Sequence, residues 1–460
     1  VHLEKVPLKY AGLDYTEIWI SEAQERMVMS VPPEHERALH ELFASEDVES
    51  VTIGRFTGDG TLRLFYEGTQ VCDLDMAFLH EGVPVLTREA TFTPPEHRVP
   101  APAKKKNFTA DLKKIMARGN VCSKEWIVRQ YDHEVQGASV VKPFVGVEND
   151  GPSDAAIVRP VLESNKGLVL ACGINPKYSD IDPYWMAASA IDEALRNVVA
   201  VGGSLERCAI LDNFCWGNTN KPDRLGGLVR AAQACYDMAK VYGTPFISGK
   251  DSLNNEFATK KGTVSIPGTL LISAMAVMKD VRRAVTMDLK EPGNFVALVG
   301  LTDDELGASE YYALKKAIGR NAPKVNPKRS KKIMDAISAA TAKRLLRSVH
   351  DLSDGGLAAG AAEMAFAGGY GMRLGLEGVP RTKEVTRDEQ ALFAESNGRF
   401  LVEFRREDLV AVEKAFKGLP WSVVGTVVET DEFTIYGLEG KPVVKTTIGE
   451  LKEAWQSRQY

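Results

Sequence analysis

The clearest periodic pattern in the chain covers residues 181–203, where apolar positions recur with the spacing of an α-helix. Asp182 is a suitable N-terminal cap, Pro183 fits the first helical position, and glycines 202–203 end the pattern. The positions that share the apolar face are Met186, Ala187, Ala190, Ile191, Ala194, Leu195 and Val198. One face of this helix is therefore predicted to be buried.

A second face of the same helix carries Ser189, Glu193 and Asn197, which are spaced four residues apart. A carboxylate and an amide oxygen one turn apart are hard ligands, suited to Mg2+ beside a phosphate. On this pattern alone, the simpler interpretation is favoured: a core helix with a solvated polar edge.

Similar patterns along the rest of the chain predict alternating strands and helices. Around the central helix, strands are predicted at 168–174, 207–214, 245–252 and 269–277, with another helix at 226–243. A strand at 26–31 and a hairpin over 51–68, turning at 57–60, are predicted near the start. Residues 93–106 are rich in proline and lysine and predict an exposed linker. The fold class is therefore α/β, with α+β layers.

Self-comparison reveals an internal repeat, in which residues 21–31 resemble residues 394–404. The match pairs Glu22 with Glu395, and each copy continues with a helix and a strand that ends in glycine. About 100 residues of the same block precede Glu395, whereas 21 residues precede Glu22. A half-domain leaves strand edges uncovered. We therefore expect the chain to be part of something longer, or one piece of a split protein.

Composition excludes several classes of protein. The 460 residues are 44% hydrophobic and 26% charged, and the net charge of −5 argues against a general nucleic-acid binder. Apolar runs fall short of the roughly 20 residues that cross a bilayer, which argues against a membrane protein. The six cysteines show neither CxxC pairs nor zinc-like spacing. Free thiols indicate a reducing compartment, and we expect the cytoplasm.

Eight ordered motifs carry a resemblance to a known family. They are SEAQERM, GPSDAA, NPKYSDIDPYWMAASAIDEALRNVVAVGG, ILDNFCWGN, FISGKDSLNN, DELGASEYY, HDLSDGGLAAGAAEMAF and AESNGRF. Together they resemble the phosphoribosylformylglycinamidine synthase family of the AIR synthetase-like superfamily. The resemblance implies two pseudo-repeats, each with an A and a B domain. It assigns 1–95 to the end of the first B domain, 96–290 to the second A domain and 291–460 to the second B domain. The first A domain, with the catalytic histidine, is expected outside this chain.

The resemblance also implies a reaction. ATP phosphorylates the amide oxygen of formylglycinamide ribonucleotide, and ammonia then displaces phosphate to give the amidine. ATP or ADP and Mg2+ are the implied cofactors. The implied partners are the missing N-terminal half, a glutaminase subunit that supplies ammonia and a small bridging subunit. No nucleic acid and no membrane is expected as a partner.

Motif by motif, the family implies an active site that this chain shares with the first A domain. Its residues here are the substrate-contacting Glu22, Ala23, Gln24 and Ser252, the ATP-contacting Asp212 and Gly249, and the candidate metal ligand Asp251. Two departures stand out: Ala23 replaces a serine, and Lys250-Asp251 replaces a pattern in which an asparagine binds metal.

The second, auxiliary site lies within the second repeat and holds a tightly bound nucleotide with a structural role in the family. The implied Mg2+ ligands are Asp154, Glu193, Asn197 and Asp351, with Ser153 and Ser353 near the nucleotide. Glu395 and Asn397 mirror the substrate clamp there, without turnover. His133 and His350 are interpreted as structural residues.

Three functions remain open at this point. The first is a component of phosphoribosylformylglycinamidine synthase. The second is a nucleotide-stabilised assembly subunit without chemistry of its own, which Ala23 and Lys250 favour. The third is a superfamily relative that acts on another amide, which the Gly-Lys-Asp-Ser segment at 249–252 disfavours.

Overall fold

The computed structural model describes residues 1–23, 26–103 and 105–457. They form two compact units, Val1–Thr87 and Arg88–Tyr460. The helices are α1 (Tyr15–Ile20), α2 (Glu36–Ser45), α3 (Met76–Glu81), α4 (Thr109–Met116), α5 (Glu125–Val128), α6 (Pro183–Ala200), α7 (Pro222–Tyr242), α8 (Glu310–Leu314), α9 (Pro327–Ala342), α10 (Gly356–Gly368), α11 (Asp388–Phe393), α12 (Leu409–Ala415) and α13 (Ile448–Gln456).

The strands belong to two large sheets and several hairpins. They are β1 (Thr61–Tyr66), β2 (Thr69–Asp75), β3 (Ser139–Val141), β4 (Phe144–Val145), β5 (Gly151–Pro152), β6 (Ala156–Val158), β7 (Gly167–Ile174), β8 (Cys208–Cys215), β9 (Phe246–Ser252), β10 (Glu256–Thr259), β11 (Gly262–Ser265), β12 (Thr269–Met278), β13 (Phe295–Val299), β14 (Ser348–Asp351), β15 (Gly371–Gly375), β16 (Phe400–Phe404), β17 (Trp421–Val428), β18 (Glu432–Tyr436) and β19 (Pro442–Thr447).

The small unit contains a β-hairpin that differs from the predicted one. β1 pairs with β2 across a two-residue turn, and not with residues 51–56. Both turn residues, Glu67 and Gly68, have positive φ, which matches the twist of the flanking strands. The predicted hairpin over 51–68 is therefore wrong, although the backbone does bend at 58–60. The strand predicted at 26–31 is also wrong, since these residues lie outside the described strands.

The first sheet of the large unit has the order β3-β6-β7-β12-β8-β9. Its neighbours are antiparallel except for β8 and β9, which run parallel and place β9 at an edge. Helix α6 packs on β7 and β12 and against α7. The strands predicted at 168–174, 207–214, 245–252 and 269–277 are confirmed, and so is the α/β class with α+β layers.

The second sheet has the order β14-β16-β13-β17-β15-β18-β19. Strand β16, which belongs to the second copy of the internal repeat, is buried between β14 and β13. Buried side chains of both sheets form one continuous hydrophobic core. The ends of β14 and β16 are consequently held close to α6.

Helix α6 begins and ends as the sequence predicts. The Asp182 carboxylate accepts a hydrogen bond from the Tyr184 N–H at 2.9 Å, and Gly202 has φ +92° after the last turn. The polar edge of α6 differs from the sequence-based expectation, because Ser189 and Asn197 are buried. The interpretation of this edge as solvated is therefore wrong, and its polar atoms need partners inside the protein.

The proline-rich segment 93–106 was expected to be an exposed linker. Its described residues belong to the large unit, where a His97 ring nitrogen lies 2.7 Å from the Asp180 carbonyl oxygen. The Arg320 guanidinium donates to the His97 carbonyl at 2.7 Å. The segment is therefore held against the large unit by these bonds, while most of its described residues are exposed as predicted. The division into three domains at 95 and 290 stays a prediction. Among the described residues, no helix is both long and apolar enough to cross a membrane.

Candidate functional site

One group of predicted site residues lies at the exposed β8–β9 edge. Asp212 stands opposite Gly249 in the parallel register. A Cβ on Gly249 would lie 2.1 Å from Asp212 Oδ1, so this carboxylate rests directly on the backbone of β9. Any larger residue at 249 would displace it. Burial raises the pKa of the Asp212 carboxyl, and the neighbouring Asp251 carboxylate adds to the shift.

The two faces of β9 carry different chemistry, because successive side chains in a strand alternate. Asp251 shares a face with Gly249 and therefore with the Asp212 carboxylate. On the other face, the Lys250 ammonium donates to Ser252 Oγ at 2.9 Å. A lysine cannot ligate Mg2+, but its ammonium can pair with a phosphate. The edge therefore offers carboxylates on one side, and a cation with a hydroxyl on the other.

The predicted substrate clamp lies in the small unit. Glu22 is exposed and Ala23 is partly buried, and both lie outside helices and strands. Gln24 lies outside the described residues. Its role stays a prediction.

A second group of predicted residues comes together inside the large unit. Asp154 lies between β5 and β6, Asp351 ends β14, and Glu193 and Asn197 lie on α6. Asp154 Oδ1 accepts a hydrogen bond from the Asp351 N–H at 3.1 Å. Ligand atoms of Asp154, His350 and Asp351 lie within 4.8 Å of one another, a spacing compatible with a shared metal ion.

The α6 residues are anchored to the end of β7. Glu193 Oε2 accepts from the Ile174 N–H at 2.9 Å and from Asn175 Nδ2 at 2.8 Å. Asn197 Nδ2 donates to the Cys172 carbonyl at 3.0 Å. These bonds fix both side chains and direct the Asn197 amide oxygen away from the strand.

Two buried oxygens of this group lack a hydrogen-bond partner within the described chain. They are Asp154 Oδ2 and Asn197 Oδ1. The Asp154 side chain is 1% exposed, and a buried polar atom without a partner costs about 1–3 kcal/mol. Both atoms are hard oxygen ligands of the kind that Mg2+ prefers. The chemistry of these donors therefore fits Mg2+.

The electrostatics of the group favour a cation. Burial raises the pKa of Glu193 to about 8, and the Asp351 and Asp354 carboxylates add to the shift. Burial also raises the pKa of Asp351 to about 6, although the Arg196 guanidinium opposes the shift. Asp354 was not among the predicted ligands, yet its carboxylate acts on Glu193. A divalent cation would stabilise the ionised form of all these groups.

Arg196 and His350 were not predicted to take part in the site. The buried Arg196 guanidinium contacts the Asp192 carboxylate and lies 3.2 Å from Asp351 Oδ2. His350 is buried between Asp154 and Glu363. Burial disfavours its charged form, but the Asp154 and Glu363 carboxylates outweigh this and raise the pKa of His350 well above its usual range. Asp192 and Arg196 lie four residues apart on the helix predicted to be buried. This spacing could have indicated an internal ion pair beside the site.

The residues that mirror the substrate clamp are occupied by the protein itself. Glu395 Oε1 accepts from the N–H groups of Glu310 and Gly355, each at 2.9 Å, and Oε2 accepts from the Tyr178 hydroxyl at 2.8 Å. Asn397 bonds Arg196 and Ser189. These contacts leave little capacity for a substrate.

The two predicted serines are adjacent in sequence to aspartates of the buried group. Ser153 Oγ donates to the Ala155 carbonyl at 2.9 Å, and Ser353 is partly buried between Asp351 and Asp354. His133 is in an irregular segment, where its ring lies 3.2 Å from the Tyr131 carbonyl oxygen.

Family models match most of the chain. Residues 152–272 match the AIR synthase related protein, N-terminal domain, and residues 1–67 and 291–437 both match its C-terminal domain. This chain belongs to the AIR synthase related family. Because one domain model matches two regions, the predicted pseudo-repeat is confirmed.

Curated relatives within the family are PurL subunits of phosphoribosylformylglycinamidine synthase. The chain is 31% identical over 457 residues to the subunit of Thermococcus sibiricus, covering 99% of this chain and 61% of the relative. It is 33% identical over 465 residues to the subunit of Alkaliphilus metalliredigens, covering 98% of this chain and 59% of the relative. The chain therefore spans about three fifths of the length of these relatives.

Solved structures of Thermotoga maritima share the fold. PurL complexed with FGAR has a TM-score of 0.57 at 17% identity, covering 74% of this chain and 53% of that one. PurL complexed with ADP has a TM-score of 0.55 at 17% identity, covering 72% and 49%. The PurLQS structure has a TM-score of 0.56 at 16% identity, covering 76% and 52%.

Both candidate sites lie within the matched family domains. The N-terminal domain match contains Asp154, Glu193 and Asn197 of the buried group together with Asp212 and the 249–252 segment. Asp351 lies in the second match of the C-terminal domain. In this family member the buried group is therefore assembled from both kinds of domain.

Proposed function

We propose that this chain is a component of phosphoribosylformylglycinamidine synthase and acts in purine biosynthesis. The observation that carries the proposal is the similarity to PurL subunits over 98–99% of the chain. The proposed reaction is the ATP-dependent conversion of formylglycinamide ribonucleotide to its amidine with ammonia. It is a ligase reaction, and it takes place in the cytoplasm.

In the proposed mechanism, the residues at the β8–β9 edge take part in chemistry. Asp212 and Asp251 orient Mg2+-bound ATP, while Ser252 and Lys250 hold an anionic group of the substrate. The hydrogen bond between Lys250 and Ser252 supports this role, because it keeps a cation and a hydroxyl together. The family resemblance assigns further substrate contacts to Glu22, Ala23 and Gln24. The first A domain, which supplies the catalytic histidine, comes from the part of the relatives that this chain does not span.

The buried group takes a different role in the proposal. Asp154, Glu193, Asn197 and Asp351 hold Mg2+ with a nucleotide, ATP or ADP, that stabilises the protein and is not turned over. The two partnerless oxygens support this assignment. The internal bonds of Glu395 support the lack of turnover. Ser153 and Ser353 lie near the nucleotide.

The proposed partners are a glutaminase subunit, which supplies ammonia, and a small bridging subunit. The fold similarity to the PurLQS structure supports an assembly of this kind. We also propose the division into domains at 1–95, 96–290 and 291–460.

The test is reconstitution. The chain is mixed with a polypeptide that carries the remaining part of the PurL sequence, and amidine formation is measured with ATP, ammonia and formylglycinamide ribonucleotide. We expect turnover that depends on all three compounds and on both polypeptides. A folded, associated pair without turnover would contradict the proposal.

A second candidate function is a nucleotide-binding assembly subunit without chemistry of its own. Lys250 at a metal-binding position and Ala23 in the clamp favour it. Ser252→Ala and Gln24→Ala separate the two candidates. An enzyme component loses turnover in the reconstituted pair, whereas an assembly subunit leaves the rate unchanged.

A further inference from the structure

His350 connects two carboxylates at the edge of the buried group. Its Nδ1 lies 2.8 Å from Asp154 Oδ1, and its Nε2 lies 3.0 Å from Glu363 Oε2. His350 is in β14, next to Asp351, and Glu363 is in α10. The imidazole therefore connects the segment between β5 and β6 to helix α10.

This arrangement fixes the orientation of Asp154. Oδ1 faces two donors, the His350 ring and the Asp351 N–H at 3.1 Å. Oδ2 is buried and lacks a hydrogen-bond partner among the described residues. The carboxylate is therefore held by one oxygen while the other oxygen is available to a ligand. A carboxylate without these donors could rotate about χ2.

His350 itself is a poor metal ligand, although it belongs to the cluster. Both ring nitrogens lie within hydrogen-bond distance of a carboxylate oxygen, so both are engaged within the protein. The imidazole consequently acts on the cation through Asp154.

A parallel arrangement holds the other aspartate of the group. Arg196 contacts Asp351 and is itself held by Asp192, just as His350 contacts Asp154 and is held by Glu363. In both cases a buried donor is fixed by a second carboxylate. Such outer-shell partners set the geometry and affinity of metal ligands.

We propose that His350 and Glu363 form a positioning pair that orients the Asp154 carboxylate for Mg2+. The inference rests on the Mg2+-nucleotide site proposed above. Mg2+ requires near-ideal octahedral geometry, whereas Ca2+ accepts variable geometry. Loss of positioning therefore weakens Mg2+ binding more than Ca2+ binding, an effect that a purely structural role does not produce.

The test is calorimetric titration of the full chain with MgCl2 and, separately, with CaCl2, each in the presence of ADP. We expect His350→Leu to weaken Mg2+ binding about 10- to 100-fold and Ca2+ binding less. His350→Asn keeps an N–H donor for Asp154 and recovers most of the Mg2+ affinity. Glu363→Gln keeps an acceptor for the ring, and its Mg2+ affinity should stay near that of the wild type. Glu363→Leu should weaken Mg2+ binding more than Ca2+ binding. The control is Asp335→Asn, at an exposed carboxylate of α9.

Each result decides the matter. A folded His350→Leu chain with wild-type Mg2+ affinity overturns the proposal, and so does an equal loss of both cations without recovery in His350→Asn. If His350→Leu does not fold, Glu363→Leu with Glu363→Gln carries the same test. A wild-type chain that binds no Mg2+ with ADP refutes the site itself, whereas wild-type binding with unaffected variants refutes only the positioning pair.

Discussion

The β8–β9 edge and the buried group contain similar residue types in opposite environments. At the edge, Lys250 and Asp251 are exposed, and Asp212 lies against the backbone of an outer strand. In the buried group, Asp351 is held by Arg196, and Asp154 is held by His350. In the proposed function, the exposed edge therefore exchanges its ligands, whereas the buried group retains one.

If the proposed roles are right, this difference in burial lets one fold serve two purposes. Burial makes carboxylates costly unless a cation compensates for them, so a buried acidic group is stable only with its ligand or internal cations. Exposed carboxylates remain hydrated and have little desolvation cost, so they suit a site that exchanges nucleotide. The predictions below test this contrast, beginning with the largest expected effect.

Removal of the buried guanidinium should cost the most stability. Arg196→Leu leaves Asp192 and Asp351 buried without their cation, and we expect the free energy of unfolding to fall by about 3–5 kcal/mol. The control is Lys279→Leu, which breaks an exposed ion pair with Glu206 and should leave the free energy of unfolding nearly unchanged. Denaturant unfolding measures both. Equal costs would remove the contrast between the two environments.

Removal of the α6 ligands should abolish stabilisation by nucleotide. Ligand at 100 times its Kd stabilises a protein by about 2.7 kcal/mol. Glu193→Ala combined with Asn197→Ala should lose the rise in Tm that Mg2+ and ADP produce, and should lose bound nucleotide. Thermal melts with and without Mg2+-ADP provide the measurement, with Asp335→Asn as the control. An unchanged shift would show that the metal assignment is wrong.

A methyl group at Gly249 should affect the edge alone. Its Cβ would meet Asp212 Oδ1 at 2.1 Å, so Gly249→Ala should displace the carboxylate. We expect turnover of the reconstituted pair to fall about tenfold or more, equivalent to at least about 1.4 kcal/mol. The rise in Tm with Mg2+-ADP should persist.

The matched control for this variant is Gly375→Ala in strand β15, where a Cβ meets no atom within 4 Å. It should leave turnover unchanged. Loss of the Mg2+-ADP shift in Gly249→Ala would mean that the two sites are not independent.

The smallest effect concerns pH. Burial raises the pKa of Glu395 to about 8, and the Asp354 and Glu310 carboxylates add to the shift. An unfolded glutamate has a pKa of about 4.3, so the folded state binds more protons between these values and loses stability as the pH rises through them. Glu395→Gln cannot ionise, and the fall in Tm from pH 5 to pH 8 should become shallower by about a few degrees.

The control for the pH experiment is Glu429→Gln, at an exposed position that follows β17. It should keep the wild-type dependence of Tm on pH. If Glu395→Gln keeps it too, Glu395 is ionised throughout this range and the burial argument fails.

The sequence predicted helix α6 well because both of its ends carry local signals, a capping aspartate before proline and glycines after the last turn. The pattern also predicted the strands that flank it. The β1–β2 hairpin was missed because its turn, Glu67-Gly68, looks less like a turn than the Gly-rich stretch at 57–60. The glycine content of 57–60 favours a hairpin turn at that place. The positive φ angles of Glu67 and Gly68, which form the actual turn, are known only from the structure.

The candidate ligands of the buried group were predicted from three separate motifs. The residues that hold these ligands in place were not predicted. His350, Glu363 and Arg196 act through contacts between segments far apart in the chain, for instance between Arg196 and Asp351. Sequence patterns report neighbours on one helix or strand, and they do not report which loops meet. The internal hydrogen bonds of Glu395 could not be predicted for the same reason, since its partners are backbone N–H groups of other elements.

The most direct test of the account is the nucleotide content of this chain by itself. Equilibrium dialysis with ADP and Mg2+ should give one tightly bound nucleotide per chain that is released by chelation of the metal. Asn197→Ala should abolish it, and Gly249→Ala should leave it unchanged. Tight binding that Gly249→Ala removes and Asn197→Ala spares would contradict the account, and so would no tight binding at all.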